Sequence, residues 1–450
     1  MNQTCSSSST AHPKEDVKHV PCLGSLSLEG GQLTAALRAT KNGYSWNMLL
    51  PEAEAVAKRA LEQIRATFPE LRDVTQSGRL RRGCPLIEEV TVGAVADVST
   101  RWPKSQFIPQ LGVRLVVCDP AHRGIALLFT TGSQEHLERL RSLAAARGLR
   151  LTDAGLWTGP REILCPTEEA AYAALGLPFI EPELREGLSE VELALDGRLP
   201  TLLGEEQIKG VLHNHTNLSD GTDSLEQLAE AARAKGYGYL GLADHFPGTA
   251  ASGTEIAGVE AQCQHVDELN ARFGPGFRIF KGVELGIPTD GALDIPEVML
   301  SRLDYIVCGI HSHYGLDRAA QTARLIRALR NPHVFMLSHP SSRLLPDFHG
   351  TDVDMEAVLR ACATFGVVVE INAHPRRLDL DWRWHQAALD MDCLFCISPD
   401  AHSASRLDDV RFGIAVARKG GIPAERVLNC ADAERVAAMF EARQQQARRR

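Results

Sequence analysis

The chain has 450 residues, which is long enough for two or three domains with a large buried core. A hydrophobic content of 44% and a charged content of 23% are typical of a globular enzyme, and the formal net charge of −9 argues against a protein coated in basic surface for nucleic acid. No run approaches the ~18 apolar residues of a membrane span, and eleven irregularly spaced cysteines predict reduced thiols in a cytoplasmic protein.

The first 200 residues predict a leader followed by a smaller α+β domain. Residues 1–50 show little periodicity, so we expect a mobile leader there. Apolar residues at helical spacing predict helices over 52–64, 135–147 and 168–175, and apolar runs predict strands at 90–95 and 113–117. A basic loop contains Arg79, Arg81 and Arg82. A proline-bracketed connection rich in Glu and Leu places the domain boundary near residue 200.

Residues 201–450 alternate between strand-like and helix-like patterns. The helical patterns separate most of the seven strand-like runs, which are 208–213, 239–244, 278–284, 305–310, 334–338, 367–372 and 394–398. This alternation predicts an α/β fold with a parallel sheet and right-handed crossovers. Because no dinucleotide-binding glycine motif accompanies these units, a barrel is favoured over an open sheet.

Histidines and carboxylates follow the ends of six of these runs. In a parallel α/β barrel the strand ends share one mouth, where catalytic groups gather. We therefore expect six histidines and three carboxylates to lie close together: His213, His215, Asp220, His245, Glu284, His311, His339, Asp400 and His402. Residues two apart on a strand face the same way, so His213 and His215 should bind one metal together.

The residue types indicate which metals fit. Imidazole suits zinc and iron, and mixed imidazole–carboxylate sites also accept manganese, whereas magnesium alone is disfavoured by so many nitrogens. Nine ligands exceed a single centre, so two or three divalent ions are expected. Three such ions outweigh three carboxylates, which makes the cavity positive and attractive to phosphate. The metals would activate water for in-line attack on phosphorus.

Particular roles can be suggested for individual residues. Glu284 is the candidate bridging carboxylate, with Asp220 and His245 as further candidate catalytic residues. Asp244, beside His245, is a candidate to orient a ligand histidine. Four more residues follow the strands and are candidate substrate contacts: Arg343 and Arg377 as phosphate clamps, and the histidines His313 and His374.

The motifs that carry these residues resemble the PHP (polymerase and histidinol phosphatase) domain family. The matching segments are His213-Asn214-His215, Ser219-Asp220-Gly221, Ala243-Asp244-His245, Gly282-Val283-Glu284, Ile310-His311-Ser312, Ser338-His339-Pro340 and Asp400-Ala401-His402. The resemblance implies a trinuclear metal site on the same nine residues. It also implies a distorted (β/α)7 barrel, in agreement with the seven strand-like runs.

The resemblance extends upstream, so that it covers roughly residues 51–450. Residues 131–136, 166–169, 175–178 and 182–187 resemble the palm and thumb of bacterial family X DNA polymerases, and 370–380 and 407–418 resemble the PHP part of the same enzymes. In those enzymes the PHP domain is a manganese-dependent 3′→5′ exonuclease. The resemblance therefore implies Mn²⁺ and/or Zn²⁺, with iron also possible, and DNA 3′ ends as the substrate.

The polymerase site departs from the family pattern of a Gly-Ser beside two arginines, an Asp-x-Asp pair and a third Asp. Here the segment beginning at Gly78 lacks the Gly-Ser, Glu89 and Thr91 stand at the Asp-x-Asp positions, and Arg114 stands at the third. Nucleotidyl transfer needs clustered carboxylates for two metal ions, so we predict no polymerase activity. The leader is also expected to be too short for the lyase and helix-hairpin-helix domains that normally precede the palm.

Three functions remain open from the sequence. The first is a 3′→5′ exonuclease or DNA 3′-end-processing hydrolase, which the basic loop supports weakly. The second is a phosphatase of the histidinol-phosphate type acting on a small phosphomonoester, which the acidic net charge supports. The third is a non-catalytic DNA-binding or regulatory protein, which the complete ligand set argues against. No membrane partner is expected, and the native metal and oligomeric state are not predicted.

Overall fold

The structure is a computed structural model that describes residues 47–97, 104–248 and 254–449, together with the backbone of 38–40 and 43–45. Most of the expected leader, 1–50, therefore lies outside the described residues. Among the helices that are described, none combines the length and apolar character needed to cross a bilayer.

The first 200 residues form an α+β region, as predicted. Its strands are β1 Arg38–Thr40, β2 Gly43–Ser45, β3 Met48–Leu49, β4 Arg72–Ser77, β5 Leu86–Ile87, β6 Val90–Val95, β7 Ser105–Ile108, β8 Val113–Cys118, β9 Leu149–Thr152, β10 Gly155–Thr158 and β11 Arg161–Ile163. Its helices are α1 Leu50–Thr67, α2 Gly78–Arg81, α3 Arg123–Thr131, α4 Gln134–Ala146, α5 Glu168–Ala174 and α6 Glu190–Leu195. The predicted helices and strands of this region are confirmed to within a few residues.

Two sheets organise this region. A four-stranded sheet has the order β4-β6-β8-β7, in which only the central pair β6–β8 is parallel. A second, antiparallel sheet has the order β11-β10-β9. Helix α4 begins where the Ser133 hydroxyl accepts a hydrogen bond from the backbone N–H of His136 at 3.1 Å, as expected for a serine N-cap.

The remaining residues alternate between strands and helices. Their strands are β12 Gly210–Asn214, β13 Tyr239–Leu242, β14 Asp244–His245, β15 Arg278–Phe280, β16 Gly282–Gly286, β17 Tyr305–Gly309, β18 Met336–Leu337, β19 Val368–Asn372 and β20 Phe395–Ser398. Their helices are α7 Leu225–Ala234, α8 Ile256–Phe273, α9 Glu297–Leu300, α10 Arg318–Leu329, α11 Met355–Phe365, α12 His385–Asp390, α13 Val410–Lys419 and α14 Ala433–Arg448. Every predicted strand-like run contains at least one of these strands.

The parallel strands divide between two sheets. Three strands have the order β12-β13-β15, and six have the order β14-β16-β17-β18-β19-β20. The division arises because the second and third predicted runs each break in two, at Ala243 and at Lys281. One parallel bridge, Asn214 to Ala401, joins the first strand to the segment after the last. The fold is thus mixed α/β, but the strands do not close into one barrel.

The buried core does not divide at residue 200. One continuous cluster of buried apolar side chains runs from α1 and the four-stranded sheet into the C-terminal half. A separate cluster lies beneath α3, α4 and α5, between Ile125 and Ala194. Helix α13 also bonds to the N-terminal half, since Arg411 pairs with Glu54 at 2.6 Å and Arg418 with Glu183 at 2.7 Å.

Candidate metal centre

The structure brings all nine predicted metal ligands together. Eight of them form three overlapping groups, in each of which the candidate ligand atoms lie within 4.8 Å of one another. The groups are His215, Asp220, His245 and His402; His213, His215 and Asp400; and His245, Glu284 and His311. The ninth residue, His339, approaches Glu284, with its Nε2 atom 3.0 Å from Oε1. Three overlapping groups suit two or three ions better than one.

Glu284 lies at the centre of the cluster. Its Oε2 atom is 3.3 Å from His245 Nδ1, 3.3 Å from His311 Nε2 and 3.4 Å from His213 Nε2. The side chain is 1% exposed. Because its two oxygens face different histidines, Glu284 has the geometry of a carboxylate shared between neighbouring ions.

Two aspartates complete the other groups. Asp220 Oδ2 lies 3.2 Å from His402 Nε2 and 3.4 Å from His245 Nε2. Asp400 Oδ1 lies 3.2 Å from His215 Nε2. Each aspartate therefore faces histidines that belong to other strands or to the segments after them. The cluster is assembled from residues that are distant in the sequence.

Several buried ring nitrogens in the cluster have no hydrogen-bond partner among the described residues. They are His213 Nε2, both nitrogens of His215, His245 Nδ1, both nitrogens of His311 and His339 Nδ1, with Asp220 Oδ2 as an oxygen in the same condition. Burying such atoms without partners costs on the order of 1–3 kcal/mol each. Metal coordination would satisfy them, so these residues fit a multinuclear metal centre.

The electrostatics of the cluster keep its carboxylates ionised. Burial alone would raise the pKa of Glu284, yet His311, His213 and His339 hold that pKa well below its ordinary value. Burial and, to a smaller extent, the nearby Arg377 together lower the pKa of His339 to about 4. Ionised carboxylates and neutral imidazoles are the forms that bind metals.

Three of the candidate ligands lie in strained backbone conformations. His213, His339 and Asp400 have φ angles of 59°, 26° and 51°, in the left-handed region that is unfavourable for such residues. The register of β12 shifts between Val211 and Asn214, as at a β-bulge. His213 and His215 do approach the same Asp400 oxygen, but through this irregularity rather than through the simple strand alternation that we expected.

Three supporting residues were not assigned a role from the sequence. Glu370 accepts a hydrogen bond from the backbone N–H of His339 at 2.7 Å, and its other oxygen lies 2.5 Å from His213 Nδ1. Ser338 donates to Glu284 at 2.6 Å, and Asn372 donates to Asp400 at 3.0 Å. Such contacts orient metal ligands. The sequence signal for these roles was that Glu370 and Asn372 are polar residues two positions apart in an otherwise apolar strand.

Asp244 has a different role from the one expected. It accepts hydrogen bonds from the Thr216 backbone N–H at 2.7 Å, from the Ser219 hydroxyl at 2.7 Å and from Gln262 at 2.7 Å. Asp244 therefore fixes the turn that presents Asp220, whereas we had expected it to orient a ligand histidine.

The four predicted substrate contacts have different surroundings. Arg377 is partly buried with its Nε atom 3.4 Å from Asp400 Oδ2, so it lies beside the cluster. His374 is half-buried on the same loop, and burial lowers its pKa to about 3. His313 is exposed beyond His311. Arg343 is not positioned as a phosphate clamp, because its guanidinium donates to the carbonyls of Arg377 and Leu378 and pairs with Asp381.

The positions that correspond to polymerase carboxylates form a closed ion pair. Arg114 contacts both oxygens of Glu89, at 2.6 and 2.8 Å, and Thr91 lies opposite Arg114 on the adjacent parallel strand. A bidentate arginine occupies the oxygens that a metal ion would need.

The expectation that the basic loop is available for DNA is wrong for two of its three arginines. Arg81 pairs with Glu168 at 2.6 Å, and the buried Arg82 pairs with Glu186 at 2.7 Å. Arg79 remains largely exposed, with its Nε donating to the Leu86 carbonyl. The predicted loop is in fact the short helix α2 and the residue after it, and its pairs with Glu168 and Glu186 hold the N-terminal half together.

Comparison with known proteins places this geometry in a family. A model of the PHP domain matches residues 212–344, and a model of the DNA polymerase beta thumb matches residues 126–186. A "Probable phosphatase" from Aeromonas hydrophila is 30% identical over 228 residues, which cover 48% of this chain and 87% of the relative. This chain belongs to the PHP domain family.

Two further relatives, a polymerase with exonuclease activity in its name and a second probable phosphatase, align with different shares of this chain. The "DNA polymerase/3'-5' exonuclease PolX" of Bacillus subtilis is 37% identical over 314 residues, which cover 69% of this chain but only 55% of the relative. A "Probable phosphatase" from Citrobacter koseri is 30% identical over 233 residues, 48% of this chain and 88% of the relative. The chain thus spans about half the length of PolX. The thumb match and the PolX alignment confirm the predicted likeness to bacterial family X polymerases.

Proposed function

We propose that this PHP protein is a metal-dependent phosphoesterase, acting as a 3′→5′ exonuclease or DNA 3′-end-processing hydrolase and lacking DNA polymerase activity. The observation that carries the proposal is the set of unpartnered ring nitrogens gathered around Glu284. The PolX likeness, which includes the segment before the PHP domain, favours a nucleic-acid substrate.

The nine clustered residues would hold a trinuclear centre of Mn²⁺ and/or Zn²⁺, with iron as another candidate. When bound, such ions supply an activated water at neutral pH and stabilise charge on the phosphate. Glu284 would hold ions together with His245, which it approaches at 3.3 Å, and Asp220 would hold an ion together with His245 and His402. Arg377, beside Asp400, would orient a phosphate oxygen, and His374 and His313 would contact the rest of the substrate.

The same proposal assigns residues 201–450 to the PHP domain and 51–200 to a degenerate palm- and thumb-like domain, after a leader at 1–50. The bridge from Asn214 to Ala401 brings the first parallel strand to the segment after the last, which supports seven β/α units arranged around one mouth, although their strands do not close into a barrel. The Glu89–Arg114 pair supports the absence of nucleotidyl transfer, because it leaves no group of carboxylates at the polymerase position.

A second candidate function is a small-molecule phosphatase of the histidinol-phosphate type. It is supported by the probable phosphatases, which align over 87% and 88% of their own length, and by the internal pairing of Arg81 and Arg82. On this view the substrate would be a small phosphomonoester and the N-terminal half would serve the stability of the PHP domain.

One experiment separates these functions. The protein is loaded with Mn²⁺ and offered 5′-labelled single-stranded DNA and, separately, histidinol phosphate. Stepwise shortening of the DNA supports the nuclease, whereas release of phosphate from histidinol phosphate alone supports the phosphatase. The variant His339→Ala should lose either activity, and His349→Ala, which removes an exposed histidine of the same half, should retain it. Inactivity on both substrates with metals bound would contradict the enzymatic proposal.

A further inference from the structure

An exposed aromatic side chain stands on the loop that carries the cluster residue His311. Tyr314 follows the cluster residue His311 by three positions and is 39% exposed. Among the described residues, the other exposed large apolar side chains, such as Phe107, Val298 and Trp384, are farther along the chain from any cluster residue. Its position on a loop that follows a strand of the cluster makes Tyr314 a candidate contact for a ligand bound there.

Two buried side chains of α10 fix the loop that carries Tyr314. Gln321 donates to the His313 carbonyl at 2.9 Å, and Arg324 donates to the Ser312 carbonyl at 3.0 Å. Both side chains are almost fully buried, and Arg324 also donates to the carbonyls of Pro288 and Ile287. The backbone on both sides of His313 is thus held rigidly, although the ring of Tyr314 that it presents remains accessible.

A second ring supports Tyr314 from a neighbouring loop. The ring centroids of Tyr314 and Phe348 lie 5.7 Å apart at 61°, an edge-on contact. Phe348 is in the loop that follows His339, and its backbone N–H bonds to the Leu344 carbonyl at 2.8 Å. The two rings therefore stand on the loops after β17 and β18, whose ends carry His311 and His339.

We propose that Tyr314, supported by Phe348, is the stacking surface for the nucleobase next to the phosphate held in the metal centre. This inference rests on the proposed nuclease function and names the part of the substrate, a nucleoside, that the site recognises beyond phosphate. Aromatic rings stack on every base, so the contact would bind single-stranded ends without selecting sequence.

The chemistry of the surroundings favours a base over another apolar group. On the proposed nuclease function the cluster with its ions would hold a phosphate, so the substrate group nearest to Tyr314 would be one that is linked to that phosphate. A planar base is such a group, because each nucleotide carries its base on the same sugar that bears the phosphate. His313, between these two residues, would face the sugar.

The experiment compares two diesters that share a leaving group. The p-nitrophenyl ester of thymidine 5′-monophosphate carries a base, whereas methyl p-nitrophenyl phosphate does not. With the Mn²⁺-loaded protein, Tyr314→Ala should raise KM for the thymidine ester by roughly tenfold, which is the scale of one lost base–aromatic stack. It should leave KM for the methyl ester and the kcat values unchanged. Tyr314→Phe keeps the ring and should behave as the wild-type protein.

Control measurements distinguish failure of the stacking role from failure of the nuclease proposal. Phe107→Ala removes an exposed ring from the N-terminal half and should change neither KM. Equal effects of Tyr314→Ala on both esters, or none on either, would overturn the stacking role while leaving the nuclease proposal standing. A wild-type protein that hydrolyses neither diester but does hydrolyse histidinol phosphate would overturn both. The melting temperature of Tyr314→Ala should fall by no more than a few degrees, because the lost edge-on contact with Phe348 is worth only about 0.5–1.5 kcal/mol.

Discussion

Two glutamates of the chain, Glu284 in the PHP domain and Glu89 beside the four-stranded sheet, differ in what surrounds them. In the PHP domain, Glu284 faces His245, His311 and His339, several of whose nitrogens have no other partner among the described residues. In the four-stranded sheet, Glu89 faces Arg114, which takes both of its oxygens. Neutral imidazoles leave a carboxylate free to bind a cation, whereas a guanidinium is itself the cation.

This difference separates a carboxylate that could hold a metal ion from one whose oxygens are already taken by an internal ion pair. On the proposal that the polymerase site is degenerate, Arg114 would exclude a metal ion from Glu89, because it contacts both oxygens of that carboxylate.

The largest expected effect is at Glu284. The variant Glu284→Gln removes the shared negative charge but keeps the shape, so bound Mn²⁺ should fall and the rate of hydrolysis should drop by on the order of 10³-fold or more. Metal content by mass spectrometry and steady-state rates at saturating substrate measure both. The matched variant Glu89→Gln should change neither. If Glu284→Gln kept full activity, the cluster would not be the site of hydrolysis.

An ion pair should affect the free energy of unfolding more strongly where it is buried, and a variant of Glu186 tests this. Its carboxylate contacts Arg82 and the buried ammonium of Lys419. Glu186→Ala leaves two cations without their partner and should lower the free energy of unfolding by about 3–5 kcal/mol in urea denaturation. The exposed pair of Glu192 with Arg139 provides the control, since Glu192→Ala should cost less than about 1 kcal/mol. Equal costs would show that burial does not decide the strength of these pairs.

Histidines outside the metal centre should give the protein a measurable sensitivity to acid. His385 is buried and its Nε2 lies 3.2 Å from the Leu380 carbonyl, and burial lowers its pKa from 6.5 to about 4. Between these values the unfolded chain takes up the proton more readily than the folded chain. The contribution of His385 to stability is therefore present above pH 6.5 and lost as the pH falls towards 4, by roughly 3 kcal/mol. Urea denaturation at several pH values measures it.

The variant His385→Gln serves as the control for this dependence, because glutamine can still donate to the Leu380 carbonyl but does not titrate. Its loss of stability between pH 6.5 and 4 should be smaller than that of the wild-type protein. A parallel loss in both proteins would mean that other groups carry the acid sensitivity.

The smallest expected effect is at the degenerate polymerase position. The side chains of Arg114 and Glu89 are 41% and 37% exposed, so Arg114→Ala should change the free energy of unfolding by less than about 1 kcal/mol. The rate of hydrolysis should be unchanged, and primer extension with Mn²⁺ and nucleotides should remain undetectable. Extension by Arg114→Asp alone would show that a single residue separates this sheet from polymerase chemistry.

Much of the fold could be predicted because it follows from local periodicity. The buried face of α7 consists of Leu225, Leu228, Ala229 and Ala232, whose spacing is helical in the sequence. Strand runs were placed correctly for the same reason. The break at Ala243 and the resulting division of the sheets could not be predicted, since hydrogen bonding between strands depends on partners that are distant in the sequence.

The candidate site could be predicted as a set but not in detail. His339 and Asp400 belong to the cluster because parallel strand ends meet, yet their positive φ angles have no signal in the sequence. The pairing of Arg343 with Asp381, or of Arg81 with Glu168, depends on which loops meet in the folded chain. From the sequence alone, an arginine in a loop can be predicted equally well to bind a phosphate or to pair with an acidic residue of the same chain. Only the folded structure shows which partner is near.

The contacts of Lys419 have a consequence for cutting the protein into pieces. The ammonium group donates to the Arg82 carbonyl and pairs with Glu186, and it lies 4.7 Å from the Trp382 ring. A fragment that starts at residue 201 would keep the lysine and the tryptophan but lose both partners, and it would expose apolar side chains of the shared core to water. The position near 200 therefore does not separate two parts that fold independently, and a fragment that starts at residue 201 should be sparingly soluble unless that surface is redesigned.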